Sequence, residues 1–156
     1  VPVPETPEWD RTKALENLGI TEVPFTEVNG NCQGFARPNK AEIAINPLAA
    51  MPWKTTFHEL AHCLLHNKQA EVAFVDGGYI NRSVEEAEAE AVAYLCCATL
   101  GLPGLDESRG YVQSWLDSPA QAEEFAKKSA ARVFAAADKI LKAGTNASKE
   151  EEVEHG

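Results

Sequence analysis

One stretch constrains this chain more than any other: Thr55-Thr56-Phe57-His58-Glu59-Leu60-Ala61-His62-Cys63-Leu64-Leu65-His66. Phe57, Leu60, Ala61 and Leu64 recur at helical spacing and give one apolar stripe. His58 and His62 are four apart, so their imidazoles lie on one helix face, separated by about 6 Å along the axis. That separation lets both rings reach one ion. Glu59 lies roughly 100° round the helix from His58 and can approach the same ion through a water. Two neutral imidazoles that hold zinc, followed by a carboxylate that serves as general base for a water, make the HExxH arrangement of metal-dependent peptidases. Two histidines on a helix can equally be ordinary surface or core residues. The apolar flanks, however, place these two close to a buried helix, where an unpaired imidazole needs a partner. A peptidase site also needs a third ligand from elsewhere in the chain.

Length and charge narrow the rest. The chain of 156 residues, 44% hydrophobic, suits one globular domain with a single core. We expect that domain over residues 1–144, followed by an acidic, disordered tail over 145–156. A formal net charge of −10 makes the domain a poor partner for nucleic-acid phosphate on its own. No apolar run is long enough to span a membrane, and no charged-then-apolar leader precedes the domain. Cys32, Cys63, Cys96 and Cys97 show no C-x-x-C spacing. They read as reduced, buried small hydrophobes, which favours a cytoplasmic location. Val1 in first position suggests a piece of a longer protein.

Along the chain, Glu8 to Leu18 reads as an amphipathic helix stopped by Gly19. Val23 to Val28, Gln33 to Arg37 and Ala41 to Asn46 read as three short strands, with turns at Asn29-Gly30-Asn31 and Pro38-Asn39-Lys40. Together they predict an antiparallel meander just ahead of the histidine helix, which runs from Trp53 to His66. The last strand is expected to offer an open edge to an extended peptide. Asn67 to Asn81 reads as an irregular loop, Ser83 to Leu100 as a long helix broken at Gly101-Leu102-Pro103-Gly104, Asp106 to Leu116 as a third helix and Pro119 to Ala143 as a fourth.

The third ligand is sought in Ser83–Ala91, where Glu85, Glu86, Glu88 and Glu90 crowd together. Some of these acids have an ordinary explanation: Ser83-x-x-Glu86 is a capping box, and first-turn carboxylates favour the helix dipole. Yet the helix is apolar nearly all round and should be buried. Glu86, Glu90, Ala93, Cys97 and Gly101 share one stripe whose remaining members are small, so another helix can pack closely there, and the histidine helix is the expected partner. Glu86 would then bind the ion, and Glu90 would accept the N–H of a ligand histidine. Glu88 competes: it falls between Val84 and Leu95 on the most apolar side, where a carboxylate also needs a charged or metal partner.

Asn46-Pro47-Leu48 leading into Thr55–His62, then Glu86-Ala87-Glu88-Ala89-Glu90-Ala91-Val92-Ala93-Tyr94-Leu95-Cys96 and Leu100-Gly101-Leu102, resembles the C-terminal metallopeptidase domain of ArdC-type antirestriction proteins. Tyr111–Leu116 and the alanine-rich last helix continue the likeness, which covers about Asn29 to Gly144. The family is zincin-like and related to the ImmA/IrrE peptidases. The resemblance implies an α+β fold, a small antiparallel sheet packed on a helical bundle. It also implies one Zn2+ per chain on His58, His62 and a glutamate, with an acidic residue four positions further on that orients a ligand histidine; Glu86 and Glu90 match that spacing. The full-length family carries an N-terminal domain that binds single-stranded DNA, so nucleic acid would be met through a segment this chain lacks. Glu88 departs from the family pattern.

The resulting expectation is a zinc peptidase acting on a protein or peptide, in an antirestriction or mobile-element setting, with Glu59 as general base. An ImmA-like enzyme that cleaves one repressor and a zinc-containing binding module without turnover are the alternatives. His66, another turn beyond His62, is about 12 Å from His58 along the axis and cannot share its ion. It is a candidate for a helix cap or for a substrate contact. Tyr111, and beside it Arg109, are candidates for stabilising an oxyanion, although an aromatic at helical spacing equally fills a core.

Overall fold

The computed structural model describes residues 8–26, 32–66, 74–76, 84–103, 105–115 and 117–145; within these, the side chains of 74–76, 107, 108, 111, 114 and 115 are not described. The chain is α+β. Helix α1 (Arg11–Leu18) starts after Asp10, whose carboxylate accepts the Lys13 backbone N–H, and ends at Gly19, which takes a left-handed φ of 69°. Strands β1 (Thr21–Glu22), β2 (Gly34–Arg37) and β3 (Glu42–Ile45) follow, with a short 3-10 turn at Pro38–Lys40 between the last two. Helix α2 (Pro52–Leu65), strand β4 (Phe74–Asp76) and helices α3 (Val84–Leu100), α4 (Leu105–Trp115), α5 (Pro119–Lys128) and α6 (Ala130–Gly144) complete the described elements.

The sheet departs from the expected meander. It is mixed, with strand order β1-β3-β2-β4. The tight turn keeps β2 and β3 antiparallel, with Phe35 opposite Ala44 and Ala36 opposite Ile43. The first strand, however, is Thr21–Glu22 rather than Val23 to Val28, and it runs parallel to β3. Its direction is set by α1: Gly19 turns the chain, Ile20 is buried, and Thr21 and Val23 donate backbone hydrogen bonds to Ala41 and Ile43. Strand β2 lies on the other side of β3 from β1. The strand expected to be an open edge is therefore interior. Within the expected loop Asn67 to Asn81, Phe74–Asp76 form β4, which pairs with β2. The Asn29-Gly30-Asn31 turn, Ser83 with its capping box, most of that loop and the segment 146–156 lie outside the described residues.

The single last helix expected over Pro119 to Ala143 is two, joined at Ser129. Helix α5 has no buried residue, whereas α6 buries Val133, Ala136, Ala137 and Ile140, so the break falls where packing begins. Helix α3 is the central helix, with Ala87, Ala89, Val92, Ala93, Cys96 and Cys97 buried. It packs against α2, α4 and α6, and α2 also lies on β2 and β3. Phe57 and Leu60 of α2, Ile43 of β3, Val92 of α3 and Ile140 of α6 meet in one core without exposure. The four cysteines are buried and unpaired by disulfides. Burial pushes the Cys97 thiol up to about 12, and Cys96 also upward, so both act as hydrophobes. Among the described residues, no helix is long and apolar enough to cross a membrane.

Candidate metal centre

Helix α2 carries Lys54, His58 and His62 at intervals of four, one stripe down one face, and His66 follows at its C-cap. That face meets α3. The acids of α3 line up against the stripe. His58, His62 and Glu86 come together, with one ligand atom from each lying within 4.8 Å of the others, so the group could hold a metal ion. The group is buried: His62 is 0% exposed, Glu86 6%.

Both rings turn Nε2 to the same carboxylate. His58 Nε2 is 3.0 Å from Glu86 Oε1, and His62 Nε2 is 2.8 Å from Glu86 Oε2. The other nitrogen of each ring is also engaged. His58 Nδ1 lies 2.8 Å from Glu90 Oε1, and Lys54 Nζ reaches Glu90 Oε2 at 2.9 Å. His62 Nδ1 lies 2.9 Å from His66 Nδ1, and His66 Nε2 lies 2.8 Å from Glu88 Oε1. Burial works against ionised Glu90, but the hydrogen bond and charge of His58, aided by Lys54, outweigh it and hold its pKa down at about 2.

These contacts test whether a metal fits. A neutral imidazole has one N–H. If His58 gives its proton to Glu90, its Nε2 presents a lone pair to a Glu86 oxygen, and the two acceptors need a cation between them. The same holds for His62 once its N–H faces His66. Without an ion, both Nε2 atoms must carry a proton to meet Glu86, and His58, whose Nδ1 also faces a carboxylate, becomes a buried imidazolium. One divalent cation replaces both protons. The donor set of two imidazole nitrogens and a carboxylate is one that transition metals accept.

Glu59 is 0% exposed and lies against β2. An ideal Cβ on Gly34 would be 3.2 Å from Glu59 Oε2 and 2.9 Å from both Ala44 O and Thr55 Cγ2, so only glycine gives the carboxylate this place. Glu88 is outside the metal group: it holds His66, and Arg132 Nη2 stands 3.9 Å from it. His66 closes α2 in extended backbone and turns inward between His62 and Glu88. Arg109 is half exposed, beside Asp106 and over the Tyr94 ring, apart from the metal group. Tyr111 is in α4, and its side chain lies outside the described ones.

Sequence reasoning missed Lys54, Gly34 and the His66–Glu88 contact. Lys54 was within reach, since it begins the stripe that His58 and His62 continue. Gly34 was not, because a strand glycine says nothing of what approaches it. Set against models of protein families, curated proteins and solved structures, the chain matches none of them.

Proposed function

We propose that this domain is a zinc-dependent peptidase with a zincin-like arrangement, in which His58, His62 and Glu86 hold the ion and Glu59 is the general base. The observation that carries the reading is the convergence of two Nε2 atoms on one carboxylate, each ring being held from behind by its other nitrogen. Ligands held tetrahedrally about 2.0–2.1 Å from zinc lie roughly 3.3 Å from one another, and the three ligand atoms here lie within 4.8 Å of one another, near enough for side-chain shifts to bring them onto one ion. Three protein ligands leave a coordination position for water or substrate, as catalytic zinc requires. When bound, zinc supplies a Lewis acid that polarises a carbonyl and makes a water acidic near neutral pH.

The chain's own residues do the rest. Glu90 holds the His58 imidazole in place. Glu59, one position after His58, takes a proton from the attacking water and gives it to the amine nitrogen as the C–N bond breaks. Its burial beneath Gly34 keeps bulk water from competing for that proton. The resemblance to ArdC-type proteins supports a protein substrate in an antirestriction setting.

The same burial favours a second reading, a domain that keeps its metal for structure or binding and turns nothing over. Two variants separate them. His58→Ala is expected to lose stoichiometric zinc by elemental analysis. Glu59→Gln is expected to keep zinc and fold while losing cleavage of a proteome-derived peptide library, because an amide cannot take the water's proton. Equal cleavage by Glu59→Gln and wild type would remove Glu59 from the reaction. Zinc-loaded wild type that cleaves nothing would establish the binding module.

A further inference from the structure

Two buried side chains remain without a task in the peptidase chemistry. His66 is 4% exposed and Glu88 is 3% exposed. Ionisable groups in such places are costly unless something uses them. They lie in one line with a metal ligand: Glu88 Oε1 to His66 Nε2 at 2.8 Å, then His66 Nδ1 to His62 Nδ1 at 2.9 Å.

We propose that His66 is a positioning residue of the metal centre: held by Glu88, it accepts the Nδ1–H of His62 and so fixes His62 with Nε2 turned to the ion. The inference rests on the metal reading above. The proton placement follows from the order of the contacts. Glu88 is a carboxylate and can only accept, so the nitrogen facing it, His66 Nε2, carries a proton. On the metal reading a neutral His62 turns its Nε2 lone pair to the ion and carries its one proton at Nδ1, 2.9 Å from His66 Nδ1. His66 Nδ1 therefore accepts that proton with its lone pair. A neutral His62 protonated at Nδ1 has its Nε2 lone pair available, on the side where Glu86 stands.

The opposite assignment places two lone pairs 2.8 Å apart at Glu88 and His66, with nothing between them. Arg132 supports the line from outside. Its Nη2 donates to Leu65 O at 2.8 Å and stands 3.9 Å from Glu88 Oε1, which fixes the end of α2 and the carboxylate together. The two ligand histidines are thus oriented by different devices: His58 directly by Glu90, and His62 by Glu88 acting through another imidazole.

The test uses the whole chain, 15N-labelled at histidine, and zinc as the probe. In zinc-loaded wild type, NMR is expected to show a proton on His62 Nδ1 and a nitrogen–nitrogen coupling across the hydrogen bond to His66 Nδ1. Zinc affinity, measured by competition with a chelator, is expected to fall about 10–100-fold in His66→Ala with circular dichroism unchanged, the usual size for loss of a group that orients a ligand. His66→Gln, whose amide oxygen can accept the same proton, should recover part of the loss. A proton found on His66 Nδ1, or zinc affinity within twofold of wild type in folded His66→Ala, overturns the proposal. Should His66→Ala not fold, His66→Gln and the wild-type coupling decide it. Should wild type bind no zinc, the metal reading falls and the proposal with it, an outcome distinct from a zinc-loaded chain with the proton on His66 Nδ1.

Discussion

Gly34 shows how one missing atom shapes the site. Its place in β2 is fixed by pairing with Ile45 on one side and Asp76 on the other, so the backbone cannot retreat from the Glu59 carboxylate. Gly34→Ala puts a methyl group 2.9 Å from a backbone oxygen and 3.2 Å from Glu59 Oε2. Overpacking of this kind costs about 1–3 kcal/mol, read as a lowered melting temperature. If Glu59 is the base, hydrolysis should fall by more than the stability loss explains, while zinc affinity, which depends on His58, His62 and Glu86, stays near wild type. Equal losses in both would mean that the substitution disturbs α2 as a whole. At this scale the sequence was readable where chemistry follows helical spacing, as for His58 with His62 and for Glu86 with Glu90. The pairing of Glu88 with His66 was not readable. Each was recognised as a polar group in need of a partner, but periodicity within one helix does not say which residue of another helix it meets.

Among elements, the helices followed from the sequence to within a residue or so at most ends, because capping groups, glycine and proline act locally. Examples are Gly19 at the end of α1 and Pro119 at the start of α5, whereas α1 begins at Arg11 after its Asp10 cap rather than at Glu8. Sheet order was lost because it depends on where α1 docks. That docking is a contact of high sequence separation: the Trp9 indole N–H donates to Ile140 O at 2.8 Å, and its ring packs edge-on to Phe57 at 4.9 Å between centroids. Gly144 leaves room for the indole, since an ideal Cβ there would stand 2.6 Å from Trp9 Nε1. Gly144→Ala is therefore expected to loosen α1 from α6 and to destabilise the fold by about 1–3 kcal/mol in denaturant titration, although alanine is the better helix former. A stabilised variant would show that the indole moves aside freely.

For the whole molecule, the metal group ties α2 to α3, the two helices on which the rest of the core is laid. Binding there should stabilise the entire chain: at a free zinc concentration 100 times the dissociation constant, linkage gives about 2.7 kcal/mol, or roughly 5–11 °C in melting temperature for a chain of this size. Scanning calorimetry with zinc and with a chelator checks this, and no shift in a chain that loads zinc would mean that the unfolded chain binds it equally well. The fastening of α1 to α6 has a different consequence, one of connectivity. Asp10 N–H donates to Gly144 O at 2.6 Å, and Asn17 and Lys13 reach the carbonyls of Ala143 and Thr145. The beginning and the end of the described chain are therefore neighbours, and a linker of a few residues could join them. A circular permutant closed there and opened at the exposed Asp117 should fold and keep its zinc affinity, so that the order in which the polypeptide visits its elements is a historical choice rather than a requirement of the site.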